Sequence, residues 1–346
     1  MMRPSFLSRE RVGSRLAQAG VLPLLRPLHD RMRTPVLVLA YHRVLPEPDP
    51  ESYPFDLGLI SATPEEFDWQ MKLVSREFDP ISLSDVGSYV RGRFKLPRRP
   101  VVVTFDDGYA DNHDHALPIL QRYGMPATVF TAVGHIGTDN LMWHDWAAYL
   151  CLRARSGEIP SLNGPQMLSE SDPIASRRKV AHRFLSYLKT RPHTELLSTL
   201  ADLRRQHAGA ILPDELALSR PLTWDQVRHM AASGVEFGSH TTTHAILSRL
   251  DDQGLRAELV QSKAVLEREL QMPCDSIAYP VGRTFAYTPK ILAEVGLTGY
   301  RLGLAYNPGI NWGHALDVFA LQRQAVESHI NRHYFRAMLS LPSWFQ

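Results

Sequence analysis

Two stretches of this chain combine groups that can hold a metal ion and move a proton. Val101-Val102-Val103-Thr104-Phe105 runs straight into Asp106-Asp107-Gly108-Tyr109, and Gly234-Val235-Glu236-Phe237-Gly238-Ser239 runs into His240-Thr241-Thr242-Thr243-His244. One carboxylate and two imidazoles are a common ligand set for a catalytic zinc, which keeps one coordination position open for water. The other carboxylate of the Asp-Asp pair would then be free as a base. Water on such a metal falls to a pKa of about 7, and a neighbouring carboxylate can take its proton as it attacks a carbonyl. Histidines four residues apart converge on one ion if the chain turns helically between them. Gly108 allows close backbone approach, so the Tyr109 amide can help hold an oxyanion. Alone, Asp-Asp-Gly is ordinarily a solvated turn and His-x-x-x-His an ordinary surface pair. Their shared position, directly after apolar runs, is what points to a site.

The elements that must carry these residues alternate. Val36 to Ala40 is a continuous apolar run closed by Tyr41-His42, which suits a strand covered on both faces. Thr63-Pro64-Glu65-Glu66 is a helix start, with Phe67, Met71, Val74 and Phe78 at helical spacing behind it. Strands follow at 101–105 and 126–131, separated by a helix from Asn112 to Tyr123 that Gly124 stops. After Trp143-His144-Asp145-Trp146 the rhythm changes, and residues 147–221 read as a polar helical insertion. Alternation resumes at the capping pattern Thr223-Trp224-Asp225-Gln226. It continues through the strand into His240, a helix from Asp251 to Gln271, a strand from Ser276 to Tyr279 and a helix from Thr288 to Val295. A strand from Gly299 to Leu304 and an apolar stretch at Val318 to Leu321 complete it. Strands separated by helices imply an α/β fold, open or closed into a barrel, with its chemistry at the carboxyl ends of the strands. Asp106, Asp107, His240 and His42 all fall at such ends. The boundaries expected are a leader at 1–34, a main fold at 35–146 and 222–335, the insertion, and a tail at 336–346.

With 346 residues, 44% hydrophobic and 21% charged, the composition is that of an ordinary globular protein. A formal net charge of +2 argues against a nucleic-acid partner gripped through its phosphates. Cys151 and Cys274 form neither a disulfide framework nor a zinc-ribbon spacing, which is compatible with a reducing compartment. The leader sets Arg3, Arg9, Arg11 and Arg15 among modest apolar residues, and Pro23, Arg26 and Pro27 interrupt its one apolar stretch. It is too broken for a secretory or membrane-spanning segment. The expectation is a cytoplasmic protein whose leader is a solvated basic helix, with peripheral contact to an anionic membrane as the alternative.

The chain resembles the polysaccharide deacetylases of the NodB-homology type, carbohydrate esterase family four, through Thr104-Phe105-Asp106-Asp107-Gly108-Tyr109 and Ser239-His240-Thr241-Thr242-Thr243-His244. The likeness extends over Tyr41-His42-Arg43-Val44, Pro126-Ala127-Thr128-Val129-Phe130 and Ala278-Tyr279-Pro280-Val281-Gly282. It therefore covers most of residues 36–325 apart from the insertion. The resemblance implies a distorted (β/α)7-type barrel with a helical insertion. It also implies hydrolysis of N-acetyl groups on hexosamine residues of a surface polysaccharide or its lipid-linked precursor. By matching position, Asp106 is the general base, Asp107, His240 and His244 the metal triad, and Tyr109 the oxyanion donor. The metal expected is a divalent ion, zinc first, with cobalt or nickel accepted by the same ligands.

Two departures stand out. Ala278 occupies the place where many relatives carry an arginine that orients the base, so Arg283 and Arg323 are the candidates to replace it. The late Leu-x-x-x-His pattern that supplies the general acid is absent at Ala320-Leu321-Gln322-Arg323. In the branch that begins with Tyr-His-Arg-Val, the acid role goes to His42, with His329 and His333 behind it. Tyr279, Pro280, Trp143 and Arg283 are candidate substrate contacts, and His144, Asp145, Trp146 and Trp312 further candidates to line a sugar cleft. His113 and His115 suit an exposed helix start better than the metal. The rival functions are removal of a formyl or other acyl group from a lipid-linked sugar, and non-catalytic glycan binding on a retained fold.

Overall fold

Each apolar run that ends in a polar cluster forms a strand of one sheet. In the computed structural model, which describes residues 35–207 and 212–342 together with Ser14, Arg15 and Gln18, nearly all of the leader lies outside the described residues. The strands are β1 (Pro35–Tyr41), β2 (Asp79–Pro80), β3 (Pro100–Phe105), β4 (Ala127–Thr131), β5 (Glu236–Ser239), β6 (Ser276–Ala278), β7 (Leu302–Leu304), β8 (Asn311–Trp312) and β9 (Gln324–Ala325). They form a nine-stranded sheet in the order β7-β6-β5-β4-β3-β1-β8, with β2 beside β3 and β9 beside β1. All pairs are parallel except β1 with β8.

The sheet curls until its ends meet. Leu304 bridges Leu321 in parallel, and the same segment goes on to pair Gln324 and Ala325 with Leu39 and Ala40 of β1. The apolar stretch expected at Val318 to Leu321 thus acts as the closing piece, though the regular strand falls three residues later. Side chains divide with the two-residue period of a strand. Leu37, Leu39, Tyr41, Val103 and Phe105 pack outward under the helices. Val36, Val38, Val102, Phe130, Ala278, Leu304 and Leu321 meet in a separate cluster inside the curl. The result is the barrel expected.

The helices are α1 (Pro64–Glu77), α2 (Leu83–Val90), α3 (Leu117–Tyr123), α4 (Trp143–Arg153), α5 (Ile174–Leu188), α6 (His193–Gln206), α7 (Trp224–Ala232), α8 (Asp252–Leu270), α9 (Pro289–Leu297) and α10 (Arg332–Ser340). Thr63 caps α1 by accepting the Glu66 N–H at 3.2 Å, and Thr223 with Gln226 forms a full capping box on α7. The single helix expected over 112–123 is instead a π-helical turn at Asn112–Ala116 followed by α3. Pro118 has no N–H to continue an α ladder back to Asp114.

The insertion starts with α4, four residues before the boundary expected. It includes a small hairpin, Gly157–Ile159 with Gln166–Leu168, beside α5 and α6. Its sequence reads as polar because α5 and α6 turn charged faces to solvent. Beneath them, Tyr149, Leu150, Phe184, Leu188, Leu196 and Leu200 build an apolar cluster with Phe55 and Ile246 of the barrel loops. At the other end, α10 crosses the boundary expected at 336 and sends Tyr334, Phe335, Ala337 and Met338 into the main core. Among the described residues, no helix is long and apolar enough to cross a membrane.

Candidate active site

The turn after β3 separates two neighbouring carboxylates. Asp107 and Gly108 both have left-handed backbone, φ 74° and 82°. A Cβ on Gly108 would meet Thr131 Cγ2 at 2.8 Å, so both the conformation and the close approach demand glycine. For Asp107 the same region costs on the order of 1 kcal/mol. The turn aims Asp106 at Arg323 and Asp107 at the two histidines.

The histidines do not converge through a helical turn, as their spacing suggested. After β5 the chain makes an irregular loop in which Thr241 and His244 are left-handed, φ 66° and 57°. Three anchors hold it. His240 donates its backbone N–H to Thr131 O at 2.9 Å, and its Nδ1 lies 2.8 Å from the Ala278 carbonyl. Glu258 of α8 accepts the Thr242 and Thr243 N–H groups at 2.7 and 2.9 Å, as well as the Thr243 hydroxyl at 2.7 Å. Trp143 Nε1 donates to the His244 carbonyl at 2.9 Å. Replacing Glu258 with alanine leaves two partly buried N–H groups without this acceptor. The Glu258→Ala protein is expected to bind its metal about 10- to 100-fold more weakly, as read by competition with a chromogenic chelator.

Asp107, His240 and His244 are buried, with one ligand atom from each lying within 4.8 Å of the others. The Nε2 atoms of His240 and His244 are 3.4 and 3.1 Å from Asp107 Oδ1. Neither is aligned as a hydrogen bond, and that buried oxygen has no hydrogen-bond partner. The carbonyl of Ala278 accepts only from a protonated Nδ1, so a neutral His240 turns its Nε2 lone pair toward the carboxylate. Lone pairs gathered on one buried point fit a divalent cation, and this donor set suits zinc, cobalt or nickel. Burial raises the Asp107 carboxyl, and the two imidazoles more than reverse this, holding it well below the usual carboxylate range.

Asp106 has a partner of its own. Arg323, fully buried just before β9, donates from both terminal nitrogens to the two Asp106 oxygens at 2.7 Å each. Its Nε donates to the Ala305 carbonyl at 2.8 Å. This bidentate pair fixes the carboxylate plane. Burial raises the Asp106 carboxyl, but Arg323 and then His240 offset that, so it is lowered overall and ionised at neutral pH. Of the two arginines considered for this place, Arg323 fills it, and Arg283 stands on the rim of the cavity, exposed.

A cavity of about 320 Å³ opens over both carboxylates. His42 lines it, with its main chain tied to Ser61 Oγ and Asn112 Nδ2 and its ring 5.3 Å from that of Tyr306. Trp143, His144 and Tyr279 also face it, although the Tyr279 hydroxyl is committed to the Phe319 carbonyl at 2.7 Å. Pro280, Asp145 and Trp146 are buried away from it, Trp146 beneath Arg204 in a cation–π contact of 3.9 Å. Trp312 pairs with Pro35 at the opposite end of β1, so it cannot belong to the cleft. His329 and His333 are exposed and line no part of the cavity. His113 is 2.9 Å from His229 on the surface, and neither it nor His115 joins the metal cluster.

Sequence reasoning missed the network beneath the turn. The Tyr109 hydroxyl lies 2.8 Å from His144 Nε2 and donates to Asp145 Oδ2 at 3.0 Å, while Arg43 stacks on its ring and pairs with Asp111 at 2.9 Å. Burial pushes the Asp145 carboxyl up to about 7, against the pull of Arg43. Only the adjacent charges in Tyr-His-Arg-Val hinted at it. The Tyr109 N–H has no hydrogen-bond partner among the described residues.

A family model described as polysaccharide deacetylase matches residues 94–300, more than half of the chain, and takes in both carboxylates and both histidines. The chain belongs to the polysaccharide deacetylase family. As a member of this NodB-homology, carbohydrate esterase family four group, it is an amide-bond hydrolase, and the reading as a non-catalytic glycan binder falls away. YxkH of Bacillus subtilis (strain 168) is 23% identical over 276 residues, 80% of this chain and 69% of that protein. The poly-beta-1,6-N-acetyl-D-glucosamine N-deacetylase of Staphylococcus aureus (strain MSSA476) is 31% identical over 111 residues, which are 30% of this chain and 38% of that protein. Among solved structures, the Streptococcus pyogenes deacetylase PplD in complex with acetate superposes with a TM-score of 0.56 at 19% identity, covering 89% of this chain and 98% of that one. IcaB from Ammonifex degensii gives 0.54 at 18%, covering 90% and 97%. These structural likenesses carry the barrel fold.

Proposed function

We propose that this deacetylase removes N-acetyl groups from hexosamine residues of a surface polysaccharide or its lipid-linked precursor, with Asp106 as base and Asp107, His240 and His244 holding a divalent ion. The observation that carries the reading is the division of labour between adjacent carboxylates, one among imidazoles and the other clamped by Arg323 in the same cavity. The name of the Staphylococcus aureus relative supports N-acetylglucosamine as the sugar.

A divalent ion bound by the triad would polarise the amide carbonyl and bring water to a pKa of about 7. Arg323 keeps Asp106 ionised and fixed in plane, so the carboxylate can accept the proton of the attacking water. The unpartnered Tyr109 N–H is free to donate to the oxygen that gains charge as the carbonyl carbon becomes tetrahedral. His42, across the cavity, gives its proton to the departing amine, so that acetate and a free amino sugar leave. Among the described residues the main-chain atoms of His42 are hydrogen-bonded and its ring nitrogens are not.

Protein stripped with a chelator is expected to lose acetate release from β-1,6-linked N-acetylglucosamine oligomers and to regain it on reloading with zinc. No acetate from any N-acetylhexosamine oligomer or lipid-linked sugar after reloading would overturn the reading. His42→Ala is expected to slow turnover by about 10²- to 10⁴-fold with metal content unchanged; a rate close to that of the wild type would move the acid role elsewhere.

A further inference from the structure

The insertion brings a charge to the catalytic cavity that the hydrolysis does not use. Lys189, the residue that ends α5, lines this cavity together with Arg283, which follows β6. Lys189 is only partly exposed, and among the described residues neither its ammonium nor the Arg283 guanidinium has a hydrogen bond or a carboxylate at ion-pair distance. Arg283 makes one weak contact, 5.8 Å above the Tyr306 ring. Besides Asp106, clamped by Arg323, and Asp107, among the imidazoles, two further carboxylates line the cavity, Asp56 and Glu327, and neither lies at ion-pair distance from either cation among the described residues. Asp56 Oδ1 accepts the Gly58 N–H at 2.9 Å, and Glu327 lies 3.3 Å from His329. Burial lowers the Lys189 pKa, Asp56 opposes the shift, and Arg283 is close enough to add to it.

Withdrawing an ammonium from water beside a second cation is unfavourable unless an anion faces both. In a cavity of about 320 Å³, near the lower end of ligand sites, an anionic group on the substrate would meet both cations. We infer that Lys189 and Arg283 form a subsite for an anionic substituent, a carboxylate or a phosphate, on the N-acetylated sugar or the unit next to it. This rests on the cavity being the deacetylation site. The two sources are a uronic acid in the polymer and a sugar phosphate in a lipid-linked precursor.

The test is equilibrium binding by calorimetry to the Asp106→Asn protein, which removes turnover from the readout. The probes are N-acetylglucosamine, its 1-phosphate, and a disaccharide of glucuronic acid and N-acetylglucosamine. One anionic probe is expected to bind at least about tenfold more tightly than the neutral sugar, and the tighter of the two identifies the source. Lys189→Met and Arg283→Met should each reduce that ratio by about fivefold or more, and Lys189→Arg should restore it. Equal affinity for neutral and anionic probes, or a preference that survives both substitutions, overturns the inference. Because the ratio involves no turnover, it separates this result from a failure of the deacetylase reading, which would show as absent acetate release by the wild type.

Discussion

Asp106→Asn is expected to reduce acetate release by about 10²- to 10⁴-fold, the range for loss of a positioned general base, while metal content stays at the wild-type level. Asparagine keeps the shape and one acceptor oxygen but cannot take a proton. The triad is left intact, because Asp106 faces Arg323 and not the ion site. The substitution also leaves a fully buried guanidinium without its counter-charge, and breaking a buried pair costs about 3–5 kcal/mol when one partner is removed outright. Asparagine retains part of the hydrogen bonding, so a smaller loss in thermal unfolding should accompany the loss of rate. Acetate release, bound metal and melting temperature on one preparation decide the matter. A turnover within tenfold of wild type would remove Asp106 from the role of base.

Asp107→Asn is expected to give the opposite pattern, with activity lost because the metal is lost. Asparagine tolerates left-handed backbone about as well as aspartate, so φ 74° is kept without new strain and the charge alone is removed. In the proposed triad Asp107 would be the one anionic ligand among three, and a neutral amide oxygen between two imidazoles would offer a divalent ion far less. Metal affinity should fall by more than about 100-fold, beyond the range for outer supports such as Glu258. Titration against a competing chelator measures it. Retention of one equivalent of metal after dialysis would count against this triad.

The two predictions differ although the residues are neighbours, because the turn sends their side chains to different partners. A pair of adjacent acids in the sequence is symmetric. What breaks the symmetry is Arg323, more than 200 residues later in the chain and beyond the end of the family match at residue 300.

The sequence by itself determined what depends on neighbours along the chain. Periods of 2 and 3.6, caps such as Thr63 and Thr223, and apolar runs closed by polar clusters are local signals, and they fixed the alternating strands and helices and the ends at which Asp106, Asp107, His42, His240 and His244 sit. Adjacent motifs also marked the family. Only the tertiary structure decided which of two arginines meets Asp106, that a left-handed loop tied to Glu258 and no helical turn brings the histidines together, that Trp312 lies at the wrong end of β1, and that the insertion delivers Lys189 to the cavity. The physical reason is the same in each case. A buried charge or N–H group is satisfied by whatever the packed chain places beside it, and distance along the sequence does not encode that partner.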